Sequence, residues 1–358
     1  MKVRYAVVGA GWISQDAFMP SIPQTNNSEI TAIVSGNAEV MEQLGEFYGI
    51  EKLVHYDDYD ALLNSGEIDA VYIALPNSLH ADFAIRALKA GVHALVEKPL
   101  AISREQCEAM VAASNESGAY LMTEYRMHHE PKTLEVIEGL RDGSLVGEPR
   151  LIQCSFGFTS PESNHRLKGE HWGGPLQDVG IYCINACRYL FDAEPIEVSA
   201  MQTGPENDPR FAEVGATFAV NMKFPGGRLA QFTCSFDVGM HEYCNVVGSK
   251  AAINMTPAFH WAEPMRITRR EEQEWSQQIG PKVDQFGGIA EYFSDCIQQG
   301  VAPESDGVEG LIDVSILEAI ERSLVDGKPQ LLQLPEKPKR MEIGQAKYVP
   351  QTDRKLVL

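Results

Sequence analysis

Short runs that are apolar on both faces alternate with helix-period segments in the first third of the chain, and few folds accept that pattern. The strand candidates are VRYAVVGA (3–10), EITAIVS (29–35), KLVHY (52–56), DAVYIALP (69–76), VHALVE (92–97) and AYLMTEY (119–125). Helical spacing between them is clearest in NSLHADFAIRALKAG (77–91) and SREQCEAMVAASNESG (103–118). Asn77 and Ser103 stand at N-cap positions, and Gly91 and Gly118 stand where helices end. A strand without a polar face is buried between two helical layers, so the pattern predicts a doubly wound parallel sheet.

The texture changes after HEPKTLEVIEGLRDGSL (129–145), a further helix. Residues 150–160, 196–203, 213–224, 228–238 and 242–255 read as longer strands with short turns such as Pro225-Gly226-Gly227. They imply a large, mostly antiparallel open sheet carrying a helix over 175–192. Two late helical patterns, 285–299 and 307–325, precede an irregular tail. The expected organisation is α/β. A dinucleotide-binding Rossmann domain covers 1–123, and an α+β domain for substrate binding and oligomerisation covers 124–358, without a flexible linker or repeats.

A length of 358 residues fits two domains better than one core. The formal net charge of −20 repels phosphate backbones, so nucleic acid and anionic membranes are excluded as partners. No apolar run approaches the ~20 residues of a membrane span. The opening MKVRYAVVGAG enters a strand at once and leaves no room for a signal peptide, so a cytoplasmic protein is expected. Seven cysteines without a CxxC pair read as reduced thiols; Cys183 and Cys187 share a helix face as small apolar side chains. The nine histidines include His128-His129, His165 and His171, but neither HExxH nor a cysteine–histidine zinc spacing occurs, so no metal is expected.

Five stretches carry chemistry. Gly9-Ala10-Gly11-Trp12-Ile13-Ser14 follows the first strand and opens a helix. Glycines there permit a tight turn and bring backbone N–H groups to a pyrophosphate at the helix N-terminus. Ser14 replaces the usual third glycine or alanine but is small enough to pack. The second strand ends Ser35-Gly36-Asn37, with no carboxylate to hold a ribose 2′-hydroxyl, which favours NADP over NAD. No arginine or lysine stands in NAEVMEQL to pair with a 2′-phosphate, so NAD stays open. Ala74-Leu75-Pro76-Asn77 falls at the carboxyl edge of the sheet, and the next strand ends Glu97-Lys98-Pro99. A lysine in that crevice is placed like a catalytic cation, and Pro99 permits a cis bond; taken alone, the tripeptide also suits a surface turn.

The fifth stretch is GGPLQDVGIY (173–182). On a helix, Asp178 and Tyr182 are i,i+4 neighbours, an acid and a phenol on one face. A plain helix edge is the alternative. A phenol with a pKa near ~10 shuttles protons at neutral pH only when a cation lowers that pKa.

Joined together, VSGNAE (34–39), DAVYIALPNSLHADFAIRA (69–87), VEKPLAIS (96–103), EYRMHHEP (124–131) and GGPLQDVGIYCINACRYLFDAEPIEV (173–198) closely resemble the glucose–fructose oxidoreductase and inositol dehydrogenase family. Within it the chain resembles the branch with tyrosine where many members have histidine, and is nearest to glucose–fructose oxidoreductase. The resemblance implies that Lys98 and Tyr182 form the catalytic pair, with Asp178 at the substrate. It implies cofactor contacts from Gly9, Gly11, Trp12, Ile13, Ser35, Tyr56, Leu75, Pro76, Asn77, His80, Glu97, Lys98 and Arg126. Arg166 matches a family arginine that reaches the cofactor, and His165 replaces its tryptophan neighbour.

Two departures stand out. Val40 takes the place of a basic residue, which weakens the case for NADP. The secretion signal and N-terminal arm of the periplasmic relative find no counterpart before the first strand. The implied activity is hydride transfer between NADP and a sugar or polyol, as an aldose dehydrogenase or an aldose–ketose oxidoreductase, in a homodimer or homotetramer. A diol or ketone reductase, and a non-catalytic cofactor-binding regulator, are the alternatives.

Overall fold

Six short strands, β1 (Val3–Val8), β2 (Ser28–Val34), β3 (Lys52–Val54), β4 (Ala70–Ile73), β5 (His93–Val96) and β6 (Leu121–Thr123), form the first sheet. They run parallel in the order β3-β2-β1-β4-β5-β6. The computed structural model describes residues 1–337 and 339–358. Burial explains the apolar runs. Val7, Val8, Ile33, Val34, Val71, Tyr72, Leu95 and Val96 are all at 0% exposure, because helices cover both faces. Each such aliphatic side chain contributes about 1.5–3 kcal/mol through burial. Ser103 caps the helix Arg104–Ser117 by accepting from the Gln106 N–H at 3.2 Å, and Gly118 ends it in the left-handed conformation. Asn77 instead opens a 3₁₀ turn, Asn77–Leu79, and the α-helix begins at His80.

The chain divides into two units differently from a single cut at residue 123. The first comprises Met1–Glu130, Lys282–Leu311 and Gln345–Leu358; the second comprises Pro131–Pro281 and Ile312–Gly344. The first unit recruits the helix Gln285–Gln299 because polar groups buried under its sheet need partners. The hydroxyls of Tyr5 and Ser28 meet Ser294 Oγ at 2.9 and 2.8 Å, and Asn27 Nδ2 donates to Asp295 Oδ1 at 2.7 Å. Nothing local in 285–299 reveals which sheet that helix covers.

In the second unit, β7 (Pro149–Gly157), β8 (Glu197–Thr203), β9 (Thr217–Phe224), β10 (Arg228–Ser235), β11 (His241–Gly248), β12 (Ala252–Thr256), β13 (Arg266–Glu271), β14 (Glu274–Ile279) and β15 (Gln330–Leu331) build one sheet. Its order is β14-β13-β12-β11-β7-β10-β9-β8-β15. Among the described residues of this sheet, only β7 and β10 pair in parallel. Period-2 burial is clear in β9, where Phe218, Val220, Met222 and Phe224 point inward. The segment 242–255, read as one strand, is a hairpin: the chain reverses at Gly248, whose N–H reaches Ala251 O at 2.9 Å. The β13–β14 hairpin was absent from the sequence reading because RITRRE and EWSQQI are dense in charge and amide and hide their alternation.

One histidine makes the first unit's stability depend on pH. His129 is 1% exposed and stacked on Tyr292 at 4.1 Å. Burial, followed by the neighbouring His128, pushes its imidazole down from the ordinary 6.5 to about 3. As pH falls below 6.5 the unfolded chain takes up this proton and the folded chain does not, so stability present above 6.5 is lost progressively toward pH 3. We expect His129→Phe, which keeps the stacking ring, to reduce the loss of stability between about pH 7.5 and 4.5 by on the order of 2–3 kcal/mol. Chemical denaturation at the two pH values measures it; equal losses in wild type and variant would refute the assignment.

Candidate active site

The carboxyl end of the parallel sheet gathers most of the dinucleotide residues. Gly9 follows β1, its N–H bonded to Val34 O and the Ala74 N–H bonded to Val8 O, each at 2.9 Å. Its φ is +96°, and a Cβ there would lie 2.4 Å from Ala74 O, so only glycine fits. Around Gly11, by contrast, a Cβ would meet nothing within 4 Å. That open backbone at the start of a helical stretch is the cradle a pyrophosphate requires. Ser14 does more than pack: its hydroxyl donates to Gly9 O at 2.6 Å and pins the turn. The stretch widens to an i→i+5 turn over Ser14–Phe18, and Trp12, 52% exposed, stands at its opening with the half-buried Ile13.

After β2, Ser35 Oγ accepts from Asn37 N–H at 3.2 Å, and Asn37 Oδ1 caps the helix Ala38–Tyr48 through Val40 N–H, also at 3.2 Å. The Tyr56 ring packs 3.4 Å from where a Cβ on Gly36 would sit. Burial pushes the Tyr56 phenol up, opposed by its hydrogen bond with Ser35.

Leu75, Pro76 and Asn77 follow β4. His80 is placed differently from the rest: it is 1% exposed, with Nδ1 2.9 Å from Pro99 O and Nε2 2.9 Å from Leu75 O. It ties the loop after β4 to the loop after β5. Burial first, with Lys98 adding, pulls its pKa down. The Lys98–Pro99 bond is cis. Glu97, 8% exposed, accepts from the Tyr72 hydroxyl at 2.7 Å and from the Lys98 N–H at 3.2 Å. Glu124, after β6, escaped the sequence reading. Its carboxyl is fully buried, and burial, then Glu97, push its pKa well up, against Arg126 and Lys98. Arg126 is 1% exposed, with its guanidinium on Gln285 Oε1.

The second unit holds Arg166, Asp178 and Tyr182. Asp178 lies in an i→i+5 turn, Leu176–Gly180, and Tyr182 lies in the first turn of the helix Ile181–Phe191. The two leading glycines of GGPLQDVGIY bring another loop alongside. A Cβ on Gly173 would be 2.2 Å from Arg166 O, and Gly174 N–H donates to that oxygen at 2.7 Å. Arg166 Nε thereby lies 3.1 Å from Asp178 Oδ1. His165, on the same 3₁₀ turn, has its pKa lowered mainly by burial and then by Arg166. Trp172 Nε1 and Gln177 Nε2 both donate to Glu321 Oε1, at 2.8 and 2.7 Å, which fixes the widened turn from behind. The Tyr182 ring is flanked by Phe156 and Phe259, each centroid 5.8 Å away.

An ion network that the sequence reading missed anchors the same helix. Arg188, 1% exposed, donates to Asp313 Oδ1 at 2.7 Å and pairs with Glu194; Asn185 Nδ2 donates to Asp313 Oδ2 at 2.9 Å. Partners 125 residues apart leave no local signal. Among the described residues, no group of three or more His, Cys, Asp or Glu is placed to hold a metal ion. No helix there is long and apolar enough to cross a membrane.

A Rossmann sheet with an open glycine cradle, followed by a large mixed sheet carrying an Arg–Asp pair and a tyrosine, defines a two-part dinucleotide-dependent oxidoreductase. Residues 3–125 match the model of an oxidoreductase family with an NAD-binding Rossmann fold, and residues 134–254 match the GFO/IDH/MocA C-terminal domain. The chain belongs to this GFO/IDH/MocA oxidoreductase family. It is 29% identical to a D-xylose 1-dehydrogenase [NADP(+)] of Haloarcula marismortui over 89% of this chain and 90% of that one. The crystal structure of an aldose-aldose oxidoreductase from Caulobacter crescentus, complexed with glycerol, superposes with a TM-score of 0.88 at 33% identity, covering 93% of this chain and 100% of that one. A 3-ketoreductase from Actinomadura kijaniata in complex with NADP and TDP-benzene gives 0.83 at 27%, covering 90% and 98%.

The buried network yields a stability prediction. Arg188→Leu strands Asp313 at 0% exposure and should cost about 3–5 kcal/mol. Replacing both partners, as Arg188→Met with Asp313→Leu, should recover part of it. A double-mutant cycle by urea denaturation reads the coupling; additive losses would mean the pair is not a unit.

Proposed function

We propose that this enzyme moves a hydride between NADP and a sugar or polyol, with Tyr182 as proton shuttle, Lys98 as the assisting cation and Asp178 at the substrate. The Arg166–Asp178 pair carries this reading. The guanidinium aims the carboxylate, so that it accepts hydrogen bonds from vicinal hydroxyls, as a polyhydroxy substrate requires. When bound, the nicotinamide supplies the hydride donor or acceptor. Tyr182 Oη gives a proton to the carbonyl oxygen in reduction and takes it from the alcohol in oxidation. In this reading Lys98 is the cation that assists the transfer. Among the relatives, NADP is named for the dehydrogenase and the ketoreductase.

A second reading, a diol or ketone reductase, would need apolar walls at the substrate. Phe156 and Phe259 are the nearest rings, but they are 7% and 1% exposed and stack on each other at 5.6 Å. They brace the tyrosine and leave its polar neighbours to meet the substrate. We also propose a homo-oligomer built on the second unit's open sheet face, supported by the exposed Leu151, Met201, Leu229 and Tyr243.

Assays of aldoses, polyols and dihydrodiols with NAD⁺ and NADP⁺ separately test the assignment, and preferential turnover of the dihydrodiols would reverse it. Tyr182→Phe should keep folding and cofactor binding while turnover falls ~10²–10⁴-fold. Lys98→Met should also cut turnover and move the alkaline limb of the pH–rate profile upward. Asp178→Asn should act mainly on KM. Near-normal rates in Tyr182→Phe would place the proton donor elsewhere. No turnover on any substrate, with intact cofactor binding, would point to a regulator.

A further inference from the structure

We propose that His55 is the cation that reads the cofactor's 2′-phosphate, so that preference for NADP(H) over NAD(H) rises as pH falls. This rests on the dinucleotide reading of the first unit. The expected basic partner is missing from the stretch after β2, where Val40 stands, but the sheet supplies another position. Val34 pairs with Val54, and Ser35 N–H bonds Val54 O at 3.1 Å. The residues just beyond the two strand ends, Ser35 and His55, are therefore brought alongside at the edge where Rossmann folds hold the ribose.

The imidazole is half exposed, and its Nε2 lies 3.9 Å from where a Cβ on Gly36 would sit. The Tyr56 ring borders the same empty position at 3.4 Å. The space beside Gly36 is thus bordered by the edge of the Tyr56 ring and by an imidazole nitrogen, with the Ser35 hydroxyl bonded to Tyr56 on the adjoining residue. Nδ1 accepts the Asp57 N–H at 3.3 Å, so the neutral ring carries its hydrogen on Nε2, the atom nearest that space. Donors suit a phosphate, whereas a ribose hydroxyl in an NAD site wants an acceptor.

On protonation Nδ1 gives up the Asp57 N–H and donates instead to the Asp57 carboxylate, 3.2 Å away, while Nε2–H keeps facing the space beside Gly36. The groups facing the ring are the Asp57 carboxylate, 3.2 Å from Nδ1, and the Tyr56 ring, its centroid 6.2 Å away, whose phenol burial pushes up. An imidazole gains charge between about pH 8 and 5, while a phosphate monoester keeps its second charge down to about pH 6. Between these limits the two charges coexist.

Fluorescence titration of wild type, His55→Asn and His55→Arg with NADPH and NADH, at about pH 6.5 and 8.5, tests this without turnover. Calorimetry with 2′,5′-ADP and 5′-ADP isolates the phosphate. For an exposed charge-assisted contact, His55→Asn should weaken NADPH about five- to tenfold at the lower pH, leave NADH within about twofold and remove the pH slope. His55→Arg should bind NADPH tightly at both values. A His55→Asn protein whose NADPH and 2′,5′-ADP affinities track the wild type at both pH values overturns the role of His55. A wild type that prefers NADH at both values overturns the NADP preference itself. His55 is then judged on 2′,5′-ADP alone: it stands if the substitution weakens that ligand and falls if it does not.

Discussion

The parallel register of the first sheet is the constraint on which the cofactor site depends. Val8 pairs with Val34 and Ile73, Val34 with Val54, Ile73 with Val96, and Val96 with Thr123. The residues one step beyond, Gly9, Ser35, His55, Ala74, Glu97 and Glu124, must then lie in one row along the carboxyl edge. A one-residue slip in any strand would turn its end residue to the opposite face and break the row. The buried apolar runs prevent that slip, since every strand interior is sealed against helices and cannot shift without exposing valines and isoleucines. Gly9 is the tightest point of the row, because its neighbour's carbonyl occupies the space of a side chain.

A different device builds the second unit's site. The carboxylate of Asp178 sits on a widened turn, whose back is fixed by Glu321 and whose front is met by the Arg166 loop through Gly173 and Gly174. Behind them the Arg188–Asp313–Asn185 network fixes the helix on which Tyr182 rides. A buried ion pair of this kind contributes little net stability against an apolar substitute, but it admits few alternative placements. Fixed placement of the helix that carries Tyr182 is what such a network secures, and for the role proposed above a displacement of about 1 Å would be costly.

Much of this was legible in the sequence, and the reason is locality. Both-face apolar runs, glycine-led turns, Ser103 and Gly118 report on residues within one turn of themselves. The doubly wound sheet, the Gly9–Gly11 cradle and the Ser35-Gly36-Asn37 end were all readable that way. What could not be read depends on partners far away in the chain. The helix Gln285–Gln299 returns to the first sheet through Ser294, the carboxyl of Glu124 is defined by Glu97, and Arg188 is defined by Asp313. His80 shows the same limit for a residue carried over by resemblance, since the structure commits both its ring nitrogens to carbonyl oxygens. His55 was hidden because sequence places it twenty residues from Ser35, whereas strand pairing makes them neighbours.

An acidic chain that holds an anionic dinucleotide must solve a problem of local charge, and the carboxyl edge shows how. Lys98 and Arg126 bring two cations there, and both act on Glu124 along with Glu97. Were both carboxyls ionised, they would cancel the cations. Burial, followed by Glu97, pushes the Glu124 pKa well up against those cations, while Glu97 itself accepts from the Tyr72 hydroxyl and the Lys98 N–H. Burial and Lys98 lower the His80 pKa, against the two carbonyl oxygens that face its ring nitrogens. The field at the edge therefore depends on how these buried groups are packed against one another, and the formal charge of −20 is spread along the chain, largely on solvated surface.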